Sequence, residues 1–315
     1  MEQPAFATFE TTPQPAARTA FDQRMMPVYA ALGIAWAVLI VAMPLTGLSI
    51  DAVLVGAFLA VCGLCSWGAV CLRLRGWVRI ATAIESWALL NVACLTGILA
   101  TCVAARSNAP FLDSWMDTAD RFILPGLNWR DTVLAIGRHT ALMHHATQVY
   151  ASLQWQGSLL ILLCCATGRI ERCPRFILSW TIALGLISAV FVFTPCVGAF
   201  AYYGIGHDVV PSVGASRGWS DLLMALRTHD TMRLDPSALD GIVEFPSFHT
   251  AGAILLAWGF WAIRWARWPM LALNLAMIAA TVPIGGHYYS DVVAGAVVAW
   301  LAIKAPDWIV SLRAR

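Results

Sequence analysis

The chain has 315 residues, of which 59% are hydrophobic and only 12% are charged. This composition excludes an ordinary water-soluble globular protein. Its 20 Lys and Arg against 18 Asp and Glu leave a formal charge of +2, so neither nucleic-acid binding nor an acidic tail is indicated. Most of the nine cysteines fall in apolar runs, where cysteine acts as a small hydrophobic residue, and we expect no disulfide and no metal site from them.

Apolar runs long enough to cross a membrane recur along the chain, since about 20 mostly apolar residues span a hydrocarbon core of about 30 Å. Residues 1–26 are rich in Pro, Thr and Gln and predict a disordered polar tail. Eight transmembrane helices are predicted after it, near residues 27–45, 52–72, 80–104, 148–167, 176–195, 247–263, 268–284 and 290–306. We therefore predict an all-α polytopic membrane helix bundle that ends in a short tail at residues 307–315.

The distribution of positive charge predicts the orientation of this bundle. If the N-terminus is cytoplasmic, 13 of the 20 Lys and Arg lie in inner segments, and seven lie in much longer outer segments. Short cytoplasmic loops retain positive charge, so both termini are predicted to be cytoplasmic. The outer segments 105–147 and 196–246 are too long for plain turns, and we expect them to form a lid or a site.

Two histidine motifs stand at helix ends on the predicted outer face. The first is Phe-Pro-Ser-Phe-His-Thr at residues 245–250, and the second is Gly-Gly-His-Tyr-Tyr-Ser-Asp at residues 285–291. One helical hairpin joins them, so His249 and His287 are predicted to be neighbours. Asp291 follows His287 by four residues, which places both side chains on one helix face, where a carboxylate can fix the imidazole tautomer.

Both motifs also carry features that suit an anion. Ser247 is a predicted N-cap of the sixth helix. Gly285 and Gly286 precede the eighth helix and permit close approach of a ligand to the backbone. Free amides at the starts of these two helices are therefore predicted donors to phosphate oxygens.

The two motifs resemble the second and third signature motifs of the type 2 phosphatidic acid phosphatase (PAP2) superfamily of membrane phosphoesterases. They are most similar to its inositolphosphotransferase branch, which includes fungal inositol phosphorylceramide synthase. Weaker similarities lie at residues 110–113, 120–121, 128–129, 150–153 and 226–227. The resemblance covers roughly residues 105–303 and implies a PAP2-like catalytic membrane domain at residues 105–306. The apolar runs and the charge distribution predict residues 27–104 as N-terminal transmembrane helices and residues 307–315 as a cytoplasmic tail.

The resemblance also implies a role for each matched residue. His287 corresponds to the nucleophile that forms a phosphohistidine, Asp291 to its orienting carboxylate, and His249 to the general acid that protonates the departing oxygen. Ser247 lies where the phosphate is bound. The implied substrate is a phospholipid or prenyl phosphate within the bilayer, no metal and no organic cofactor is implied, and the site would face the non-cytoplasmic side, which is periplasmic in a bacterium.

The sequence departs from the superfamily pattern in its positive charges. The first motif, a Lys followed after six residues by Arg-Pro, is absent, and Ala280 and Thr281 stand where the third motif usually has Ser-Arg. Some other cation must then offset the phosphate charge, and Arg227 is the predicted one, with Arg233 next. The missing cations favour the transferase branch.

Three functions remain open from the sequence. The first is transfer of a phospho-headgroup, such as phosphoinositol, from a lipid to an alcohol acceptor. The second is hydrolysis of a lipid phosphate such as phosphatidate or a prenyl pyrophosphate, and the third is a non-catalytic transporter whose histidines line a path. A second cluster, His139, His144 and His145, lacks a zinc motif, and we expect a structural or headgroup-binding role for it.

Overall fold

The computed structural model describes residues 21–206, 210, 214–235 and 241–313. Thirteen α-helices account for most of this part of the chain, which is 76% helical, and this confirms the all-α prediction. The helices are α1 (Met26–Leu45), α2 (Ala52–Leu74), α3 (Val78–Ala105), α4 (Asp113–Ile123), α5 (Trp129–Gly137), α6 (Thr140–Ala151), α7 (Leu153–Ala166), α8 (Arg172–Phe191), α9 (Ala199–Tyr202), α10 (Gly214–Thr228), α11 (Phe248–Phe260), α12 (Arg267–Gly285) and α13 (Tyr289–Arg313). Two three-residue strands, β1 (Leu48–Ile50) and β2 (Met232–Leu234), pair in parallel.

Six of these helices are long and apolar enough to cross a membrane, rather than the eight that the sequence predicted. They are α1, α2, α3, α8, α12 and α13. The predicted span 148–167 is instead divided between α6 and α7, which meet at 47° and could form a seventh, broken span or a re-entrant loop. The predicted span 247–263 is the 13-residue helix α11, which at 1.5 Å per residue is about 20 Å long and shorter than the hydrocarbon core.

The structure describes helical residues inside both predicted tails. Residues 1–20 lie outside the described residues, but a 3₁₀ turn (Gln23–Met25) leads directly into α1, and Met25 is fully buried. At the other end α13 continues through Arg313, so most of segment 307–315 is helical. Apolar packing of Met25 overrides the polar composition that indicated disorder for residues 21–26, and the cytoplasmic location of segment 307–315 remains a prediction.

The N-terminal helices join the bundle through α3, which packs against α1, α2, α7 and α8. Asp51 starts α2 by accepting hydrogen bonds from the amides of residues 53 and 54 at 3.0 and 3.1 Å. Deep in this packing, Glu85 of α3 forms a buried ion pair with Arg73 of α2 and accepts a hydrogen bond from the Tyr29 hydroxyl of α1 at 2.8 Å. One carboxylate thus ties three helices together, because a buried charge needs partners.

The two long outer segments fold into short helices over one end of the bundle. Segment 105–147 contains α4, α5 and the start of α6, and the described part of segment 196–246 contains α9, α10 and β2. The helices of these segments share a hydrophobic cluster that includes Trp129, Phe200 and Tyr288 and also takes in the end of α12, whereas β2 packs in a separate cluster. The outer helices therefore surround the two histidine motifs.

Candidate active site

The site is assembled where α11 begins and where α12 passes into α13. Ser247 caps α11 as predicted, with its hydroxyl oxygen accepting a hydrogen bond from the Thr250 amide at 3.3 Å. Gly286 ends α12 in the left-handed conformation, with φ of +72°, which a side chain would disfavour. The Ser247 amide donates to the backbone oxygen of Asp291 at 3.1 Å, so the start of α11 is fastened directly to the first turn of α13.

His287 lies in the three-residue connection between α12 and α13 with its Nδ1 among oxygen atoms. Nδ1 is 2.9 Å from the backbone oxygen of Glu244, 3.2 Å from Oδ2 of Asp291 and 3.4 Å from Oε2 of Glu244. The predicted contact between His287 and the carboxylate four residues later is therefore present. Oδ2 of Asp291 also accepts a hydrogen bond from the Tyr288 amide at 2.9 Å, which holds the carboxylate in place.

These neighbours determine which nitrogen of His287 can react. Backbone carbonyl and carboxylate oxygens accept hydrogen bonds, so Nδ1 carries the proton and Nε2 keeps its lone pair. The side chain is buried, and burial lowers the pKa of His287, although Glu244 opposes this shift. At neutral pH the imidazole is uncharged, with a nucleophilic Nε2.

His249 lies on the first turn of α11, near enough to His287 for the two rings to interact electrostatically. Its ring is stacked on Tyr150 of α6, with ring centroids 3.7 Å apart and planes 13° from parallel. A Cβ placed on Gly285 would lie 2.9 Å from the Tyr150 hydroxyl and 2.9 Å from Cδ2 of His287. Tyr150 therefore bridges the two histidine motifs, and both histidines lie in one small region, as the hairpin argument predicted.

Two aspartates of α4 hold the connection that carries His287. Asp120 accepts hydrogen bonds from the amides of Tyr289 and Ser290 at 2.8 and 2.7 Å. Asp113 accepts from the Tyr288 hydroxyl at 3.1 Å and from two amides before α9 at 3.0 and 3.1 Å. The amides at the start of α13 are therefore occupied by protein carboxylates, and the prediction that they are free for phosphate was wrong.

Trp129 contacts the backbone of His287. Its indole Nε1–H donates to the His287 carbonyl at 2.8 Å, and its ring is stacked on Tyr203 with centroids 5.3 Å apart. The sequence suggested residues 128–129 and Tyr150 only through weak family similarity. Local spacing could not connect them to His287, because they lie more than 130 positions away along the chain.

Glu244 is the functional candidate that sequence reasoning missed. It precedes the first motif and is only 5% exposed, and its Oε2 atom is buried without a hydrogen-bond partner. Burial raises its pKa to about 8, opposed by His287 and supported by Asp291 and Asp113. A Cβ on Gly198, where φ is +91°, would come within 2.8 Å of the Glu244 carboxyl, so this glycine makes room for the buried side chain.

The predicted cations lie elsewhere in the described structure. Arg227 donates to the carbonyl of Ala109, and its guanidinium carbon is 4.3 Å from the ring centroid of Phe111. Arg233 pairs with Asp51 at 2.8 Å on the surface. Neither arginine has a described contact with His249 or His287, so the phosphate-binding role of Arg227 remains a prediction.

Glu244, His287 and Asp291 also have the arrangement of a three-ligand cation site. One ligand atom from each lies within 4.8 Å of the other two. A cation bound to Nδ1 of His287 would have to replace the proton that this nitrogen directs towards Glu244 and Asp291. The three residues therefore suit a metal only if Nδ1 of His287 has lost that proton. His144 and His145 of the second histidine cluster are exposed and lie against each other.

Comparison with known proteins identifies the family to which this chain belongs. A family model described as PAP2 superfamily matches residues 119–305, a range that contains both histidine motifs and most of the outer helices. No curated protein and no solved structure matches the chain significantly. The match covers more than half of the chain, and the long apolar helices fit a membrane protein. The chain therefore belongs to the PAP2 superfamily and is an integral membrane enzyme of the phosphatase and phosphotransferase type that acts on lipid phosphoesters.

Proposed function

We propose that this protein is a membrane phosphotransferase that moves a phospho-headgroup from a lipid donor to an alcohol acceptor through a phosphohistidine on His287. The observation that carries the proposal is the environment of Nδ1, which faces only acceptor atoms and so leaves Nε2 as the nucleophile. No metal takes part in the proposed reaction. The headgroup is of the phosphoinositol type, in keeping with the branch that the motifs resemble.

The reaction has two steps with balanced proton movements. Burial and the nearby His287 lower the pKa of His249 to about 3, so the negative charge of the bound phosphate is proposed to keep His249 protonated. In the first step Nε2 of His287 attacks phosphorus, the bond from phosphorus to the lipid oxygen breaks, and His249 gives its proton to that oxygen. In the second step His249 takes the proton of the acceptor hydroxyl, the acceptor oxygen attacks phosphorus, and the phosphorus–Nε2 bond breaks. Asp291 stabilises the positive imidazole ring that exists between the two steps.

Burial of the site favours transfer over hydrolysis. His287 is 3% exposed, and Ser247 and Asp291 are fully buried. A phosphohistidine in such a place has little access to bulk water, whereas an alcohol headgroup can be delivered by a lipid that enters from the bilayer. Ser247 is proposed to contact the phosphate through its hydroxyl proton, since only its oxygen is engaged by the α11 cap.

A groove below His249 supports a lipid substrate. It has a volume of about 320 Å³ and lies between α11 and α12, with Ala253, Ala257 and Ile278 among its mostly apolar lining residues. Ala253 and Ala257 follow His249 by four and eight residues, so they continue the same face of α11 away from the site. A hydrocarbon chain in this groove would hold its phosphate near the two histidines.

The site is proposed to face the non-cytoplasmic side of the membrane. This orientation rests on the distribution of Lys and Arg, because most of them lie in the segments that the topology assigns to the cytoplasm. A membrane-impermeant thiol reagent applied to sealed cells should label a cysteine introduced at exposed Arg138, next to α6, and should not label one at Arg75. The reverse labelling would invert the orientation.

The intermediate can be tested by trapping. Protein incubated with a donor lipid labelled at phosphorus should acquire acid-labile, base-stable label, and His287→Ala should acquire none. His249→Ala should lower transfer by about 10²–10⁴-fold, and a donor with a p-nitrophenol leaving group should restore most of the first step, because that leaving group needs no proton. Unchanged labelling of His287→Ala would refute the phosphohistidine.

Transfer and hydrolysis are separated by the products. Labelled donor is incubated with and without a lipid alcohol acceptor, and both the lipid phase and the water phase are analysed. We expect a new labelled lipid only when acceptor is present. Equal release of water-soluble phosphate in both reactions, with no new lipid, would make the enzyme a lipid-phosphate hydrolase.

A further inference from the structure

Helix α4 has two faces of different character. Asp113 and Asp120 are seven residues apart and share its buried face, which hydrogen-bonds to the connection that carries His287 and to the start of α13. Trp115 and Phe122 are also seven residues apart, and they lie about 200° around the helix from the two aspartates. Both are exposed, and Phe122 is 87% exposed. An apolar face of α4 is therefore directed away from the aspartates.

This apolar face continues into the turn that follows α4. Ile123, Leu124 and Leu127 are exposed as well, and the Leu127 amide closes the turn by donating to the Leu124 carbonyl at 3.1 Å. Gly126 takes the left-handed conformation in this turn, with φ of +87°, and a Cβ placed on it would meet no described atom within 4 Å. The α4 apolar surface is defined here as Trp115, Phe122, Ile123, Leu124 and Leu127.

The α4 apolar surface lies where the bundle meets the membrane boundary. Tyr289 begins one of the candidate membrane spans, and its amide donates to Asp120 at 2.8 Å. After the turn, the Trp129 indole donates to the His287 carbonyl at 2.8 Å, so both ends of the turn are fastened where the span begins. Val293 follows Tyr289 by four residues on the same face of α13 and is exposed. The exposed apolar side of α13 thus starts within one helical turn of this contact.

A surface of this kind indicates a partner other than water. Large exposed apolar patches mark contacts with another protein or with a membrane. Trp and Phe are typical of the apolar face of helices that lie in the lipid interface, with charged residues beside them. Arg121 and Asp117 of α4 form such a charged edge, paired at 2.9 Å. Because the surface adjoins the start of a membrane span, the lipid bilayer is the partner that fits it.

We propose that the α4 apolar surface is inserted into the interfacial layer of the bilayer, on the side of the membrane that carries the site. The inserted side chains hold α4 in place, and through Asp120 and Trp129 they position the backbone that carries His287. Phe122 is thus a positioning residue that acts through the membrane and touches no substrate. This role goes beyond the proposed function, because it depends on where the site lies and not on which phosphoester reacts.

Insertion is tested by spin labelling, without any substrate. A nitroxide is attached to Phe122→Cys and, as a control, to Asp230→Cys, an exposed polar position before β2, and each protein is reconstituted into phosphatidylcholine vesicles. The unmodified protein, treated in the same way, gives the background from native thiols. Each label's collision rate with oxygen, which concentrates in lipid, is divided by its collision rate with a water-soluble nickel complex. Because an inserted apolar face lies about 5–10 Å deep, this ratio should be at least about fivefold higher at position 122 than at position 230.

Two results of the labelling would overturn insertion. The first is an equal ratio at the two positions, which would place Phe122 in water. The second is a high ratio at position 122 that falls to the value at position 230 when the lipid-to-protein ratio is raised. That result would assign the α4 apolar surface to a second copy of the chain.

Positioning is tested by kinetics on the reconstituted protein with a water-soluble p-nitrophenyl phosphoester. Phe122→Asp places a charge in the interface and should lower kcat about 3–10-fold, because small displacements of reacting groups are costly, while KM changes less than twofold. Phe122→Leu keeps an apolar side chain, and Ser114→Asp adds the same charge at an exposed position of α4 outside the apolar surface. Both should keep kcat within twofold of the unmodified protein. A kcat of Phe122→Asp equal to that of Phe122→Leu would overturn the positioning role.

Discussion

Asp291→Asn is the substitution whose effect depends most directly on the observed geometry. Asp291 accepts hydrogen bonds from Nδ1 of His287 at 3.2 Å and from the Tyr288 amide at 2.9 Å. An asparagine has nearly the same shape but no charge, and it can present N–H donors where the carboxylate accepted. The change therefore tests both the charge of Asp291 and its influence on the tautomer of His287.

The backbone of Glu244 limits the expected loss. Where an Asp→Asn change leaves a catalytic histidine in the wrong tautomer, activity falls about 10⁴-fold. Here the Glu244 carbonyl, 2.9 Å from Nδ1, still accepts the proton, so the tautomer should persist. A hydrogen bond to a charged group is stronger than one between neutral groups by about 1–2 kcal/mol. Losing this difference corresponds to a loss of about 5–30-fold in rate.

The assay is single-turnover transfer of label from a phosphorus-labelled donor to the purified, lipid-reconstituted protein. Asp291→Asn should form the same labelled intermediate about 5–30-fold more slowly. Asp307→Asn, the same substitution at the far end of α13 in an exposed ion pair with Arg175, should remain within twofold of the unmodified protein. A loss of 10⁴-fold would refute the tautomer argument, and a loss below threefold would refute a role for the Asp291 charge.

Four further outcomes are expected. Trp129→Phe removes the indole hydrogen bond to the His287 carbonyl and should lower kcat about 3–10-fold, with a loss of about 1 kcal/mol in unfolding free energy measured by denaturant titration. Tyr150→Phe keeps the ring stacked on His249 and should retain more than a third of kcat, whereas Tyr150→Ala should lose about tenfold or more. Ala257→Phe fills the groove between α11 and α12 and should lower kcat/KM for long-chain donors at least fivefold more than for short-chain, soluble donors. Dialysis against a chelator should change the transfer rate by less than twofold. The rate is measured on the dialysed protein before and after metal is added back.

Three of these predictions would be contradicted by a specific result. Equal losses for Tyr150→Phe and Tyr150→Ala would mean that the hydroxyl, and not the stacked ring, matters. Equal effects of Ala257→Phe on long and short chains would place the hydrocarbon elsewhere. Loss of activity on chelation, with recovery on adding one divalent metal, would make the three-ligand cluster a metal site and overturn the metal-free mechanism.

Local patterns predicted much of the fold. Apolar runs indicated the six long helices to within a few residues, because the length needed to cross a hydrocarbon core is a property of the segment itself. The same reasoning predicted too many membrane-spanning helices. It counted α11, which is apolar but only 13 residues long, and it counted as one straight helix the segment that bends by 47° between α6 and α7. Hydropathy reports the composition of a segment, whereas a bend or an early helix end depends on neighbouring helices.

The sequence by itself determined the contact between His287 and Asp291, since they are four residues apart and one helical turn brings them together. Only the tertiary structure decided that Glu244 lies at Nδ1, that Asp120 occupies the first amides of α13, and that Tyr150 stacks on His249. These contacts join residues 43 to 170 positions apart, and no local periodicity encodes them. They arise because the outer helices close over the end of the bundle, where every buried polar group must find a partner.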